Sequence, residues 1–585
     1  MNRQNLFPIL QRLLCLSLVL VCLLGMMGCV DPAVTTAPTT TPVTTAPTQP
    51  QTSPTTQPPT VPPTQPATQP ATQPATQPAT QPTEPATDPN ALVYELTQED
   101  VDYFYSLLAE CEALALAGED IAAIEAQNAL LDEQLALMDV QQGIATVLYY
   151  SDMEDEAITD QYMNCVEIVT QAQDAYIQMV RRVYLSDTPA KEELFADWTE
   201  EDIAQLLAYE DEVAQLKQRN AQIDVEYTAA TSDSVRIPLY IEFVQNNNRI
   251  AEIFGYDNYY TYAATVSYQR DFGTEELTQM RQYAKTYLVP ALDVALENFY
   301  ASFYGLSTFR QNKVAEFLYN DYDALSTDYI GAYLAMMPQS MQDHVNQMLT
   351  ADSLFTNSSS AYAGAFTIAL GERSYCFFGP GCATSSTVIH EAGHYYASRY
   401  ADLNSIPLDL AETHSQGNEM LLLSSLRQQM PLDQYEALVN YRMFNDIATI
   451  LVCLMVDEFE QRVYSADLTG FTAQDFDAIM NEISLAYFPP EGATENPADM
   501  NAYWRMVVVK QPVYYISYAV SGISAIDLYT MATEDMDAAI AAYQTLCEQP
   551  ALDQGFLGNI TAAGLHGPFQ EEFYQEFLQM LKDMI

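Results

Sequence analysis

The chain has 585 residues, with 22 basic against 78 acidic side chains and a formal net charge of −56 at neutral pH. A polyanion of this kind repels nucleic acid and anionic lipid surfaces, so neither is expected as a partner. Its nine cysteines contain no Cys-x-x-Cys pair, which argues against a cysteine-built zinc site.

Residues 1–28 carry Arg3 and Arg12, no acidic residue, and an apolar run from Leu13 to Met27. The run is short for a membrane span and has the layout of a secretory signal. It ends in Leu24-Gly25-Met26-Met27-Gly28-Cys29. A small residue before a cysteine, directly after an apolar stretch, resembles the bacterial lipobox. That resemblance implies acylation of Cys29 as the mature N-terminus and display on the extracellular face of the cytoplasmic membrane. Met26 departs from the lipobox pattern and leaves a plain signal peptide or an uncleaved anchor as alternatives. Residues 29–90 are rich in Thr, Pro, Gln and Ala, with Ala-Thr-Gln-Pro repeated after Gln65. Such a segment has no apolar surface to repay the entropy of folding. Its prolines favour an extended spacer of up to ~3.1 Å per residue.

From residue 91 the pattern is helical. Thr97 with Asp100, and Thr199 with Asp202, are capping-type helix starts. Apolar residues at three- and four-residue spacing predict helices over Asp202–Gln218, Glu275–Phe299 and Asp433–Gln461. Alternating runs are few, and Arg373–Phe378 is the best strand candidate, closed by Gly379-Pro380-Gly381. A stretch this long exceeds one small core. We therefore expect an N-terminal helical lobe over 91–231 and a catalytic domain over 232–585, with a loose boundary near Ser232–Pro238.

The chemistry concentrates in His390-Glu391-Ala392-Gly393-His394. Histidines at i and i+4 lie one turn apart on one helix face, so both imidazoles reach a single ion. Glu391 projects beside them, where it can take a proton from water bound to that ion. Zinc suits the arrangement because it lowers the pKa of its water to about 7. With only five histidines in the chain, chance gives such a motif with a probability on the order of 0.003. A catalytic zinc needs a third protein ligand and an open fourth position. In the helical segment Leu408–Gln428, Glu412 and Glu419 share a face while His414 points away. Two buried carboxylates on one face need a cation or donors to meet them. Glu412 is thus the expected third ligand, and Glu419 the group that orients a ligand from behind. His344 and His414 read as histidines without a role.

These residues together resemble the thimet oligopeptidase and oligoendopeptidase F family, in which Gly precedes the second His and a zinc-ligand Glu follows on the next helix. The resemblance covers much of 236–585. Gly255-Tyr256 with Tyr259, Tyr262 and Arg270-Asp271 resembles the start of that family's catalytic region. Gly364-Ala365-Phe366 and the strand at Ser374–Phe378 resemble its substrate-side edge, and Pro512–Ala519 its tyrosine-rich segment. The resemblance implies a mainly α, gluzincin-like fold, with two helical lobes around a deep substrate channel. It also implies hydrolysis of internal bonds in short peptides, because folded proteins do not enter such a channel. Spacing alone makes Tyr515 and Tyr518 packing residues as readily as functional ones; the resemblance implies that they donate to the oxyanion. One departure concerns Val507, near which the family carries a histidine, and His566 is the substitute donor to consider. The alternatives are a peptide-binding surface lipoprotein with little turnover, and a zinc carboxypeptidase or dipeptidase built on the same helix.

Overall fold

The computed structural model describes residues 92–584 except 119, 210, 351–353, 357–361, 363, 372, 490–503, 506–507 and 510. The expectations for residues 1–90, Cys29 included, and for Val507 fall outside the described residues.

Thr97 opens the first helix, α1 (Gln98–Ala117), with a full capping box. The Asp100 backbone N–H donates to Thr97 Oγ1 at 3.3 Å and the Thr97 N–H to the Asp100 carboxylate at 2.9 Å, which satisfies two otherwise orphaned donors. Helices α2 (Ile121–Ser151) and α3 (Glu156–Leu185) pack against it. Thr199 caps α4 (Glu200–Ala208) in the same way. The helix expected over Asp202–Gln218 is broken there: α4 stops, and α5 (Asp211–Ala229) begins anew. Tyr209 is buried between them at 2% exposure. No Gly or Pro marks this break, so burial of the ring, a tertiary effect, overrides the local periodicity.

Ser232 stands at the start of α6 (Asp233–Ile253), which runs through Pro238. The helix expected over Glu275–Phe299 is α7 (Thr274–Tyr283) and α8 (Val289–Gly305), joined by a π-helical turn over Ala284–Leu288. Pro290 is the second residue after that turn. Proline lacks an N–H and crowds the preceding turn, and widening the ladder just before it relieves both.

The three-stranded sheet has the order β1 (Leu354–Thr356), β3 (Arg373–Phe378), β2 (Ala365–Leu370). β1 and β3 are parallel; β2 and β3 are an antiparallel hairpin turned at Gly371, whose φ of 67° suits glycine. Alternation splits the hairpin into two faces. Phe366, Leu370, Tyr375 and Phe377 pack with Ile144, Val147 and Tyr150 of α2. Ala365, Cys376 and Phe378 join the main core, and Thr367, paired with Cys376, faces the same way. The sheet therefore ties the C-terminal end of α2 to the main core.

The second half is helical again. α9 (Ser385–Ala397), α10 (Leu408–Ser425), α11 (Leu432–Tyr464), α12 (Ala473–Tyr487), α13 (Ile516–Glu534) and α14 (Met536–Glu548) come in that order. α10 is the hub, packed against α9, α13 and α14. One continuous core runs from Val101 to Leu581.

Candidate metal centre

Thr384 caps α9, its Oγ1 accepting from the Thr387 N–H at 3.3 Å. The i, i+4 spacing sets the His390 and His394 rings 5.2 Å apart between centroids. Gly393 lies between them. A Cβ at this position would sit 2.5 Å from the His414 carbonyl oxygen and 2.7 Å from Ser415 Cα, so only glycine lets α9 and α10 approach this closely. Asn418 secures the crossing: its Nδ2 donates to the Ile389 carbonyl at 2.7 Å, and the Tyr333 hydroxyl donates to its Oδ1.

The crossing brings Glu412 to the histidines. One ligand atom from each of His390, His394 and Glu412 lies within 4.8 Å of the others, and His390 Nε2 is 4.0 Å from Glu412 Oε2. Among the described residues, His390 Nε2 is buried without a hydrogen-bond partner, an arrangement that costs free energy unless something meets it. Two imidazoles and a carboxylate are a donor set that fits a zinc-type cation. The three residues fit a metal.

Behind His390 a relay of charge fixes the ring. Its Nδ1–H donates to Glu419 Oε1 at 2.8 Å; Arg442 of α11 donates to Glu419 Oε2 at 2.7 Å and to Asp446 at 2.8 Å. Holding Nδ1–H this way leaves Nε2 with its lone pair free for a ligand. Burial lowers the pKa of a histidine, but at His390 the Glu419 bond and the charges of Glu419, Glu391 and Glu412 outweigh it and hold the pKa at about 9, so without a metal the ring keeps both protons, and a cation gains the Nε2 lone pair by displacing the second one. Glu419 resists its own burial through the charge of Arg442 and its bond to His390, and drops to about 2. His394 is pushed well below the usual histidine range by burial and by the charge of His390. Glu412 is raised by burial, against the pull of His390 and of hydrogen bonds from Tyr514 and Ser415.

Glu391 is fully buried. Thr367 on β2 donates to its Oε2 at 2.7 Å, while Oε1 has no partner among the described residues. Burial pushes this carboxyl up to about 7, the range in which a carboxylate serves as a base at neutral pH.

The tyrosines divide. The Tyr514 hydroxyl donates to Glu412 Oε1 at 3.2 Å and lies 3.1 Å from the Tyr518 hydroxyl. Tyr515 is one ring removed, 5.8 Å and 6.3 Å between centroids from Tyr514 and Tyr518, and among the described residues it hydrogen-bonds no metal-site group. His566 is paired with Asp527, Nδ1 to Oδ1 at 3.0 Å. His414 is core, its Nε2 3.0 Å from the Leu546 carbonyl, and His344 packs on Tyr396 and Tyr400. Sequence reasoning missed Thr367, Arg442 and the part played by Tyr514. All three reach the site across the fold, and no short-range pattern marks them.

No family model matches the sequence, and no curated protein matches it. Solved structures do. A chain provisionally named oligoendopeptidase F aligns over 85% of this chain and 98% of its own, at 17% identity and a TM-score of 0.65. PZ peptidase A with an inhibitor aligns over 85% and 99%, at 16% identity and 0.66. A second chain with the provisional name oligoendopeptidase F, from Bacillus anthracis, aligns over 84% and 97%, at 17% identity and 0.60. The architecture is thus a helical, zincin-like one with a two-His, one-Glu cluster. Its fold is that of oligoendopeptidase F and PZ peptidase A, as the sequence resemblance implied.

Proposed function

We propose that the chain is a zinc-dependent metallopeptidase that cuts internal bonds of short peptides outside the cell. The observation that carries this reading is the buried cluster of His390, His394 and Glu412, with the unpartnered oxygen of Glu391 beside it. The likeness in fold to oligoendopeptidase F and PZ peptidase A supports it.

His390, His394 and Glu412 hold the zinc, one per chain. When bound, zinc supplies a Lewis acid and lowers the pKa of its water to about 7. Glu391 takes the proton of the attacking water on Oε1, while Thr367 holds Oε2 and fixes the plane of the carboxylate. Glu391 then returns that proton to the leaving nitrogen, so one group serves as base and acid. Glu419 keeps His390 in the tautomer that presents Nε2. Tyr518, with Tyr515 as the more distant second donor, steadies the negative charge that develops on the carbonyl oxygen. Among the described strands β2 is an edge strand, and an edge pairs readily with an extended peptide.

Removing one fixed oxyanion donor costs about 10²–10³ in turnover. Tyr518→Phe is accordingly expected to lower kcat by that factor with KM little changed. Tyr515→Phe is expected to cost less, since its ring stands one place further from Glu412. Steady-state kinetics of the two mutants checks the order, and equal or absent effects would remove the tyrosines from the reaction.

The deciding experiment is digestion of a mixed peptide library with and without chelator. Internal cleavage that stops on zinc removal supports the proposal. Release from one terminus only favours a carboxypeptidase or dipeptidase, and zinc binding without products favours a peptide-capturing lipoprotein. A channel restricts access, so short peptides should be cut while denatured casein is spared. Comparable rates on both would discard the channel.

The extracellular placement rests on Cys29 and the proline-rich spacer. Cys29→Ser is expected to abolish lipid labelling and detergent partitioning, with zinc binding intact. Unchanged partitioning would refute acylation at that residue.

A further inference from the structure

The segment that carries Tyr514 has an unusual backbone. Val513, immediately before it, has φ of +63°. Residues branched at Cβ avoid this left-handed region because the side chain collides with its own backbone. Such a conformation persists only when its surroundings over-determine it. Here they do. The Val513 N–H donates to Glu460 Oε1 of α11 at 2.9 Å. One residue earlier, the Pro512 carbonyl accepts from the Tyr268 hydroxyl at 2.9 Å. Four residues on, Ser517 Oγ accepts from Arg270 Nη2 at 3.0 Å.

The clamp reaches the ligand helix as well. Arg270 Nε lies 3.4 Å from Asp409 Oδ2, and both side chains are fully buried. Asp409 is in the first turn of α10, three residues before Glu412. One guanidinium therefore fixes both the helix that bears Glu412 and the segment whose tyrosine touches Glu412. Gln269, which separates Tyr268 from Arg270, also has a positive φ of 51°, so the two clamping side chains leave the chain from a strained bend of their own. Glu460 is itself 1% exposed, and its Oε2 has no partner among the described residues. A buried carboxyl of this kind is costly, and among the described residues its one hydrogen bond is to the strained peptide.

We infer that Glu460 and Arg270 are positioning residues for the metal site: they hold residues 512–517 in a strained conformation that delivers the Tyr514 hydroxyl to Glu412. This rests on the metallopeptidase reading above. Without the clamp, Val513 relaxes to a negative φ, the residues after it swing, and Tyr514 leaves Glu412. The third ligand then loses a donor that orients it, and loss of such a partner weakens metal affinity by about 10–100-fold.

The test uses the full chain, with zinc affinity from chelator competition alongside kcat and KM on a cleaved peptide. Glu460→Leu removes the acceptor. We expect zinc affinity to fall by about 10–100-fold, kcat to fall in step, and KM to stay within about twofold. Two rescues separate positioning from a general loss of structure. Glu460→Gln restores an oxygen acceptor and should recover most of both losses. Val513→Gly, added to Glu460→Leu, makes the positive φ available without strain and should recover part of them. Should Glu460→Leu fail to fold, Tyr268→Phe cuts the hold on Pro512 while keeping the ring, and is expected to lower zinc affinity with little change in the melting temperature measured without zinc. Wild-type zinc affinity and kcat in folded Glu460→Leu or in Tyr268→Phe overturn the inference alone, as does equal damage in the Leu and Gln variants. A wild-type chain that neither binds zinc nor cleaves peptides overturns the metallopeptidase reading, and the positioning role with it.

Discussion

Glu391→Gln is expected to bind one zinc per chain as the wild type does and to lose about 10²–10⁴-fold in kcat, the usual contribution of a positioned general base. Among the described residues the side chain hydrogen-bonds none of the three donors, so the ligand set survives the change. The amide is nearly isosteric and its oxygen still accepts from Thr367, which holds the carboxylate at 2.7 Å in the wild type. The change removes the free oxygen able to take a proton. A pH profile gives an independent reading. Burial places the Glu391 carboxyl at about 7, and a nearby cation favours its ionised form, so the loaded enzyme should show an acid limb below that value. The base acts only when ionised, so the wild-type rate falls as pH drops through its pKa, whereas the residual rate of the mutant should lack that limb. Zinc content by atomic absorption and kcat against pH check both halves. A Glu391→Gln enzyme with a wild-type rate would falsify the assignment of the base.

The helix bearing His390, Glu391 and His394 is legible in the sequence because its ligands are local. They lie within five residues on one turn, and the Thr384 cap and Gly379-Pro380-Gly381 punctuate its start. Glu412 and Glu419 are legible for a related reason, since seven residues return to the same helix face. The rest of the site is assembled by contacts between distant parts of the chain. Thr367 sits in an apolar run that gives no hint of a polar duty, and Arg442 is one charge in a long helix. Tyr514 is one of 40 tyrosines; its selection over Tyr515 depends on the backbone at Val513, which no propensity forecasts. The fold shows the same division. Capping boxes at Thr97 and Thr199 announce their helices. The break at Tyr209 and the strands β1 and β2 arise from packing between remote segments and leave little local trace.

Gly393→Ala is expected to damage the metal site far more than it damages the fold. The obstacles facing the new Cβ are the His414 carbonyl oxygen at 2.5 Å and Ser415 Cα at 2.7 Å. Both are backbone, so no side chain can turn aside, and α9 and α10 must separate by about 1 Å to restore ordinary contact. Alanine favours a helix over glycine by about 0.8–1.0 kcal/mol, whereas overpacking of a tight contact costs about 1–3 kcal/mol. The stability change is therefore a modest loss, and the melting temperature without zinc should fall by only a few degrees. Function should suffer far more. His390 and His394 stand on one side of the contact and Glu412 on the other, so the separation pulls the ligand set apart directly. A misplacement of about 1 Å at a reacting centre costs on the order of 10²-fold in rate, and a spread donor set binds its ion more weakly. The expected result is a folded protein whose kcat/KM falls by about 10²-fold. Zinc should also raise its melting temperature less than it raises that of the wild type, because stabilisation by a ligand tracks the affinity for it. Melting curves with and without zinc separate this outcome from simple misfolding. If Gly393→Ala gains as much from zinc as the wild type and cleaves as fast, the close helix crossing is not the feature that assembles the three ligands.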